Sequence, residues 1–265
     1  MGYNSPCVSP LLQEVYLRAG VENKRAVKSM MLPAPGGVLL DVGCADGSDA
    51  VALASAVRAT TIVGLELADH FVEQGRGRGI DVHQVDISGP WPVADGSVDA
   101  LHSNQVIEHL SQTDHFMREI RRVLKPGGYA VVSTNNLASW HNIVALLVGL
   151  QPLPCHVSDE AVVGNPLALE ETRYGPQIHR HLRIFTGRAL ADLARAHGLA
   201  VDDSIGSGYY PLSGHAARLM ARIDPTHAVY LVQRYRIASA DATAPAGAQR
   251  TPASTAPGPA PPGRP

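Results

Sequence analysis

The chain has 265 residues, 45% of them hydrophobic and 17% charged, enough to bury one substantial core. A net charge of only −2 offers no global attraction for nucleic acid, and the longest apolar stretch, residues 143–150, is too short to span a bilayer. The three cysteines, Cys7, Cys44 and Cys155, are odd in number and far apart, and no signal peptide is visible, which together predict free thiols in a reducing, cytoplasmic setting.

Residues 9–32 carry a helical pattern, with Ser9 as cap, Pro10 at the first helical position and apolar Leu11, Leu12, Val15 and Leu17 ahead of a break at Gly20. Residues 1–36 are therefore expected to form an accessory helical segment, closing over a site or packing on a sheet edge. Val38–Val42 is an apolar run with β-branched ends that stops at glycines, so it predicts a buried strand entering a tight turn, with a helix over residues 48–57. Such a turn sets backbone N–H groups and a helix N-terminus over the strand's carboxyl end, where open α/β sheets bind ligands. Asp41 sits badly beside a pyrophosphate but well beside an ammonium or sulfonium group. Ala45 stands where a middle glycine would be, which suits a ligand whose phosphate never meets that backbone.

Residues 61–65 form a second strand ending at Glu66, which lies 23 positions after Gly43. An acidic residue at a spacing of about 20 accepts hydrogen bonds from ribose hydroxyls. Residues 82–87 form a third strand, where Asp86 and Ile87 can bracket an adenine, the acid taking the amino group and the apolar side chain the ring face. A fourth strand over 98–103 delivers Asn104, with Glu108 and His109 just beyond its end. A helix over 113–124 stops at Lys125-Pro126-Gly127-Gly128, and residues 129–134 are the fifth strand. Arg118, Arg121, Arg122 and Lys125 read as the wet face of that helix.

Five segments together resemble the class I S-adenosylmethionine-dependent methyltransferases, of the type 11 kind. They are Leu-Asp-Val-Gly-Cys-Ala-Asp-Gly (40–47), Gly-Leu-Glu (64–66), Val-Asp-Ile (85–87), Trp-Pro-Val-Ala-Asp-Gly-Ser-Val-Asp (91–99) and Arg-Val-Leu-Lys-Pro-Gly-Gly (122–128). The resemblance implies an α/β fold, a Rossmann-like, seven-stranded, mostly parallel sheet with a reversed last strand, helices on both faces and lid insertions. It further implies that Asp41, Gly43, Cys44, Ala45 and Gly47 hold the methionine part of S-adenosyl-L-methionine, Glu66 and Leu67 the ribose, and Asp86 and Ile87 the adenine, with Asn104 at the cofactor's edge. The methyl of a sulfonium is already electrophilic, so such a protein must mainly orient it toward a nucleophile and exclude water.

The methyltransferase domain is expected over residues 37–237, with insertions at 135–185 and 206–226. Residues 143–150 are apolar on every side and predict a buried helix, either core or an acceptor wall that includes Trp140, Leu146 and Leu147. Prolines 152, 154, 166 and 176 make 151–177 an irregular lid-like stretch. Thr186 caps a helix running to His197, a strand follows over 199–205, and residues 227–237 form the last strand. Residues 238–265 are almost entirely Ala, Pro, Gly, Ser and Thr and are expected to be a disordered tail.

His109 is the first candidate for taking a hydroxyl proton as the methyl transfers, because an imidazole titrates near neutrality. Glu108 and His109, with the later His179-Arg180-His181, also resemble the Glu-x-x-Glu-His plus distant His arrangement of metal-assisted O-methyltransferases such as the ubiquinone-biosynthesis enzymes. Gln105 stands where that pattern has its first Glu, which removes a charged ligand, so no metal ligand is assigned and Glu108, His109 and His181 are taken as the catalytic group. Arg173, Arg180, Arg183 and Arg188 lie near the lid, where they meet an anionic acceptor or only solvent. The expected activity is methyl transfer to a small organic acceptor, at a hydroxyl oxygen. An NAD(P)-dependent oxidoreductase, or a non-catalytic adenosyl-binding partner protein, are the alternatives.

Overall fold

The computed structural model describes residues 10–158, 163–166 and 181–239, with side chains from residue 14 onward. Cys7, the cap at Ser9, Arg173, Pro176, His179, Arg180 and the tail from residue 240 lie outside the described residues.

The strands are β1 (Val38–Val42), β2 (Thr61–Glu66), β3 (Asp81–Gln84), β4 (Val98–Asn104), β5 (Leu124–Asn135), β6 (Leu199–Ser207) and β7 (Tyr230–Ile237). They form one seven-stranded sheet in the order β3-β2-β1-β4-β5-β7-β6. The pairs β1–β2, β2–β3, β1–β4 and β4–β5 are parallel, whereas β7 is antiparallel to both β5 and β6, so the last strand is reversed as expected. The helices are α1 (Pro10–Met30), α2 (Ser48–Val57), α3 (Asp69–Gly77), α4 (Thr113–Val123), α5 (Trp140–Leu147), α6 (Gly187–Ala196) and α7 (Gly214–Ile223).

The central strands carry consecutive apolar residues, such as 38–40 of β1 and 130–132 of β5, because both of their faces are covered. Alternate residues go to opposite cores. Leu40, Leu101 and Val132 join Phe116, Ile120 and Leu190 on the α4 and α6 side. Leu39, Ala100 and Val131 join Val27, Met30, Leu53 and Val57 on the α1 and α2 side. Thr186 caps α6 by accepting from the Ala189 N–H at 3.2 Å, as its position before an apolar-periodic run predicts.

Several boundaries differ from the sequence expectation. Helix α1 runs straight through Gly20, since the packing of Val27, Met30 and their neighbours against the sheet outweighs a helix penalty of about 1 kcal/mol for glycine. Strand β3 ends at Gln84, before Asp86, although the Val85 N–H still reaches the Glu66 carbonyl at 2.9 Å. The Lys125–Gly128 stretch does stop α4, but it lies inside β5, taken up by a register shift between Val98 and Ala100 of β4. Only Asn142 and Ala145 of α5 are buried, and Val144, Leu146 and Leu147 face outward, so α5 is not a core helix. The 206–226 stretch contains α7, whose buried Ala217 and Ala221 are one turn apart. Arg122 is more than wet surface, for its guanidinium meets Glu119, Asp95 and the carbonyls of Trp91 and Val93.

Candidate active site

All five β-strands from β1 to β5, and β6 as well, point their carboxyl ends to one edge, so the residues that follow them converge there. The first is the 43–47 loop. Gly43 and Gly47 have φ of +75° and +77°, and Ala45 takes +45°, a left-handed conformation that L-residues rarely adopt. The loop is held by bonds from the Gly43 and Cys44 N–H groups to the Leu65 carbonyl, at 2.8 and 3.2 Å. A Cβ at Gly43 would stand 2.5 Å from Cγ2 of Val106, so the loop rests on the segment that leads into the 3-10 turn Ile107–His109. Cys44 is buried, and burial, with the Asp41 and Glu66 carboxylates, pushes its thiol up to about 12.

Asp41 departs from the expectation. Its side chain is buried, and Oδ1 meets Nδ1 of His102 at 2.7 Å, because the parallel register sets Asp41 of β1 opposite His102 of β4. Asp41 therefore does not face the open edge, and His102 is a site residue that the sequence reading missed. Its signal was a histidine directly after the apolar Ala100-Leu101 pair of a buried strand.

Glu66 does stand at the edge, and it braces backbone. One oxygen accepts from the Leu67 and Ala68 N–H groups at 2.8 and 3.0 Å, and the other reaches across to the Ala45 N–H at 2.9 Å. Leu67 is exposed beside it. Asp86 lies past the end of β3, with Oδ1 accepting from the Ser88 N–H at 2.9 Å, and Ile87 packs partly against the core. The three acids thus share the carboxyl edge, but only Glu66 and Asp86 present carboxylates toward solvent there. Asn104 closes the edge at the end of β4, and its Oδ1 accepts from Nδ2 of Asn23 at 2.8 Å. Asn23, buried on α1, takes hydrogen bonds from the Ser133 and Ser207 hydroxyls at 3.0 Å each, so one amide ties α1 to β4, β5 and β6.

The candidate catalytic residues come together beside this edge. One ligating atom each from Glu108, His109 and His181 lies within 4.8 Å of the others. Glu108 is fully buried; its Oε2 accepts from the Thr134 hydroxyl at 2.8 Å and its Oε1 from Nδ2 of Asn135 at 3.4 Å. Its carbonyl takes the Leu182 and Arg183 N–H groups at 2.7 and 3.0 Å, which brings a segment more than seventy residues away against the turn. Nδ1 of His181 lies 3.0 Å from the Pro154 carbonyl, so in the neutral ring the proton sits on Nδ1 and the lone pair on Nε2, on the side of Asn135. The His109 and His156 rings flank that of His181, each with centroids 4.9 Å away. His156 was not foreseen, because its loop has no periodic pattern.

Trp140 is 44% exposed, donates from Nε1 to Asp224 at 2.9 Å and stacks on His227, so it anchors α5 to the end of α7. Arg183 and Arg188 are exposed. No helix among the described residues is long and apolar enough to cross a membrane.

A family model described as a methyltransferase domain matches residues 17–204. A probable S-adenosylmethionine-dependent methyltransferase of Mycolicibacterium smegmatis is 32% identical over 163 residues, covering 60% of this chain and 60% of that protein. A ubiquinone biosynthesis O-methyltransferase of Chromobacterium violaceum is 27% identical over 204 residues, covering 75% and 78%. An uncharacterised 37.1 kDa protein in a Streptomyces fradiae transposon is 28% identical over 212 residues, covering 73% of this chain. The chain spans only about three fifths of the Streptomyces and Mycolicibacterium proteins, 61% and 60%. Among solved structures, an S-adenosylmethionine-dependent enzyme of Thermotoga maritima, described as a possible histamine N-methyltransferase, superposes with a TM-score of 0.56 at 19% identity, covering 84% of this chain and 92% of that one. A putative methyltransferase in complex with the Haloferax volcanii Trm112 methyltransferase activator gives 0.59 at 15% identity, covering 86% and 95%. The family match and the sequence relatives favour an adenosyl cofactor over the nicotinamide alternative. With its reversed last strand, its glycine loop and a family match over most of its length, the chain belongs to the class I S-adenosylmethionine-dependent methyltransferase family.

Proposed function

We propose that this protein transfers the methyl group of S-adenosyl-L-methionine to a hydroxyl oxygen of a small organic acceptor in the cytoplasm. The observation that carries the reading is the Glu108, His109 and His181 group at the end of β4, against the turn whose Val106 supports the 43–47 loop. In this reading Gly43, Cys44, Ala45 and Gly47 offer loop backbone to the methionine part, with Asp41 bracing the end of β1 before them. Glu66 with Leu67 receives the ribose, Asp86 with Ile87 the adenine, and Asn104 lines the methyl side. His109 takes the acceptor's proton as the carbon–sulfur bond breaks and the carbon–oxygen bond forms, and S-adenosylhomocysteine leaves. Glu108, held by Thr134 and Asn135, stabilises the imidazolium that results, and His181 orients the acceptor hydroxyl.

The same three side chains favour a second reading. One carboxylate and two imidazoles suit a divalent first-row cation, and the Pro154 carbonyl on Nδ1 of His181 is the kind of outer contact that fixes a ligating imidazole. Such an ion, when bound, lowers the pKa of an acceptor hydroxyl. Turnover of a catechol and phenol panel, before and after EDTA, separates the two. General-base catalysis leaves the rate unchanged, whereas a metal-assisted reaction stops and is restored by added Mg²⁺, Mn²⁺ or Zn²⁺. Tight binding of S-adenosylhomocysteine with no turnover on any oxygen, nitrogen or carbon acceptor would count for a non-catalytic binding protein instead.

A further inference from the structure

Backbone pairing between β1 and β4 ends at Asp41 and His102, one residue short of the point where Val42 leads into the 43–47 loop. Beyond it, two side chains of β4 continue the clasp. Nδ1 of His102 meets Oδ1 of Asp41 at 2.7 Å, and the Ser103 hydroxyl donates to the Val42 carbonyl at 3.1 Å. Both members of the His102–Asp41 pair are out of water, with side chains 6% and 2% exposed. A buried carboxylate without a partner is costly, so the pair specifies one position for the end of β1.

We propose that His102 is a positioning residue of the cofactor site, holding the Asp41 carboxylate at the end of β1 so that the backbone of the 43–47 loop keeps its binding geometry. The proposal rests on the reading of that loop as the methionine-binding element. It assigns His102 no contact with cofactor or acceptor.

The charges around the imidazole are Asp41 from β1, Asp49 from α2 and Lys24 from α1, the last two paired with each other at 2.8 Å. Burial pushes the imidazole toward its neutral form, but the Asp41 carboxylate outweighs this and raises its pKa above the ordinary value. The charge-assisted bond is thus favoured below the ordinary imidazole value and weakens as pH rises through the raised one.

The test is calorimetric titration of the full chain with S-adenosylhomocysteine, which carries no sulfonium charge and so reports loop geometry. His102→Asn keeps an N–H donor where Nδ1 stands and should bind within about threefold of wild type, whereas His102→Leu should bind roughly tenfold or more weakly. Should His102→Leu fail to fold, Asp41→Asn/His102→Leu, which leaves no buried charge, decides, and it too should bind roughly tenfold or more weakly. Wild-type affinity should fall at high pH, and that of His102→Asn should stay flat. Wild-type affinity in the folded leucine or double variant, or equal pH profiles in wild type and His102→Asn, overturns the proposal. Failure of the wild type itself to bind S-adenosylhomocysteine removes instead the cofactor reading on which the proposal stands.

Discussion

Replacing Glu66 by Gln tests the cofactor edge at one atom. The native carboxylate accepts three backbone N–H groups, from Leu67 and Ala68 on one oxygen and from Ala45 on the other. Glutamine can keep its oxygen on Leu67 and Ala68, but its NH₂ then faces the N–H of Ala45. One charge-assisted bond, about 1.5–3 kcal/mol, is lost, and a donor is left opposed to a donor. Because the loop is part-exposed, water recovers some of this, and a net cost of about 1.5–2 kcal/mol remains, which is roughly a ten- to thirtyfold loss of affinity. If Glu66 also receives the ribose hydroxyls, removal of its second acceptor oxygen acts in the same direction. The assay is calorimetric binding of S-adenosylhomocysteine near neutral pH, with a thermal melt to confirm folding. A folded Glu66→Gln protein that binds within twofold of wild type would refute the argument that this carboxylate organises the cofactor loop.

Further outcomes follow from the same contacts. Gly43→Ala should abolish S-adenosylhomocysteine binding and lower the melting temperature, since the new Cβ would meet Val106 at 2.5 Å at a φ of +75°, a strain of about 1–3 kcal/mol; wild-type binding would contradict it. Burial alone would raise the Glu119 pKa, but Arg122 and the Trp91 N–H hold it below the usual glutamate range. Its stabilising effect is therefore present above the unfolded-state pKa and lost as pH falls through the folded one. Glu119→Gln should lower the unfolding free energy by about 2 kcal/mol at neutral pH and flatten the acid limb of the denaturation profile, and an unchanged acid limb would rule this out. Cys44, its thiol pushed up to about 12, should resist iodoacetamide in the native protein and react on unfolding, as read by mass spectrometry. Rapid native alkylation would mean that the loop opens far more than its hydrogen bonds suggest.

The succession of strands along the chain and the glycine loop were legible in the sequence because both rest on local chemistry. Val38–Val42 is apolar on two faces only because helices cover both, and Gly43 and Gly47 were needed where φ turns positive. Likewise Glu66 and Asn104 end their strands and Glu108 lies in the turn after β4, so chain order alone set them at the carboxyl edge. Partner choice was not legible, since it depends on what lies across the sheet. Asp41 reads as a ligand contact until the β1–β4 register sets His102 opposite it, and no spacing in the chain encodes that meeting. Helix α1 reads as broken at Gly20 until its apolar face finds the sheet. The sequence by itself determined the fold class and the succession of strands and helices along the chain, because strand periodicity, turn chemistry and chain direction are local. Tertiary structure alone decided where the Asp41 charge is neutralised and that His181 joins Glu108 and His109, because burial and pairing over long sequence separations exist only once the sheet has assembled.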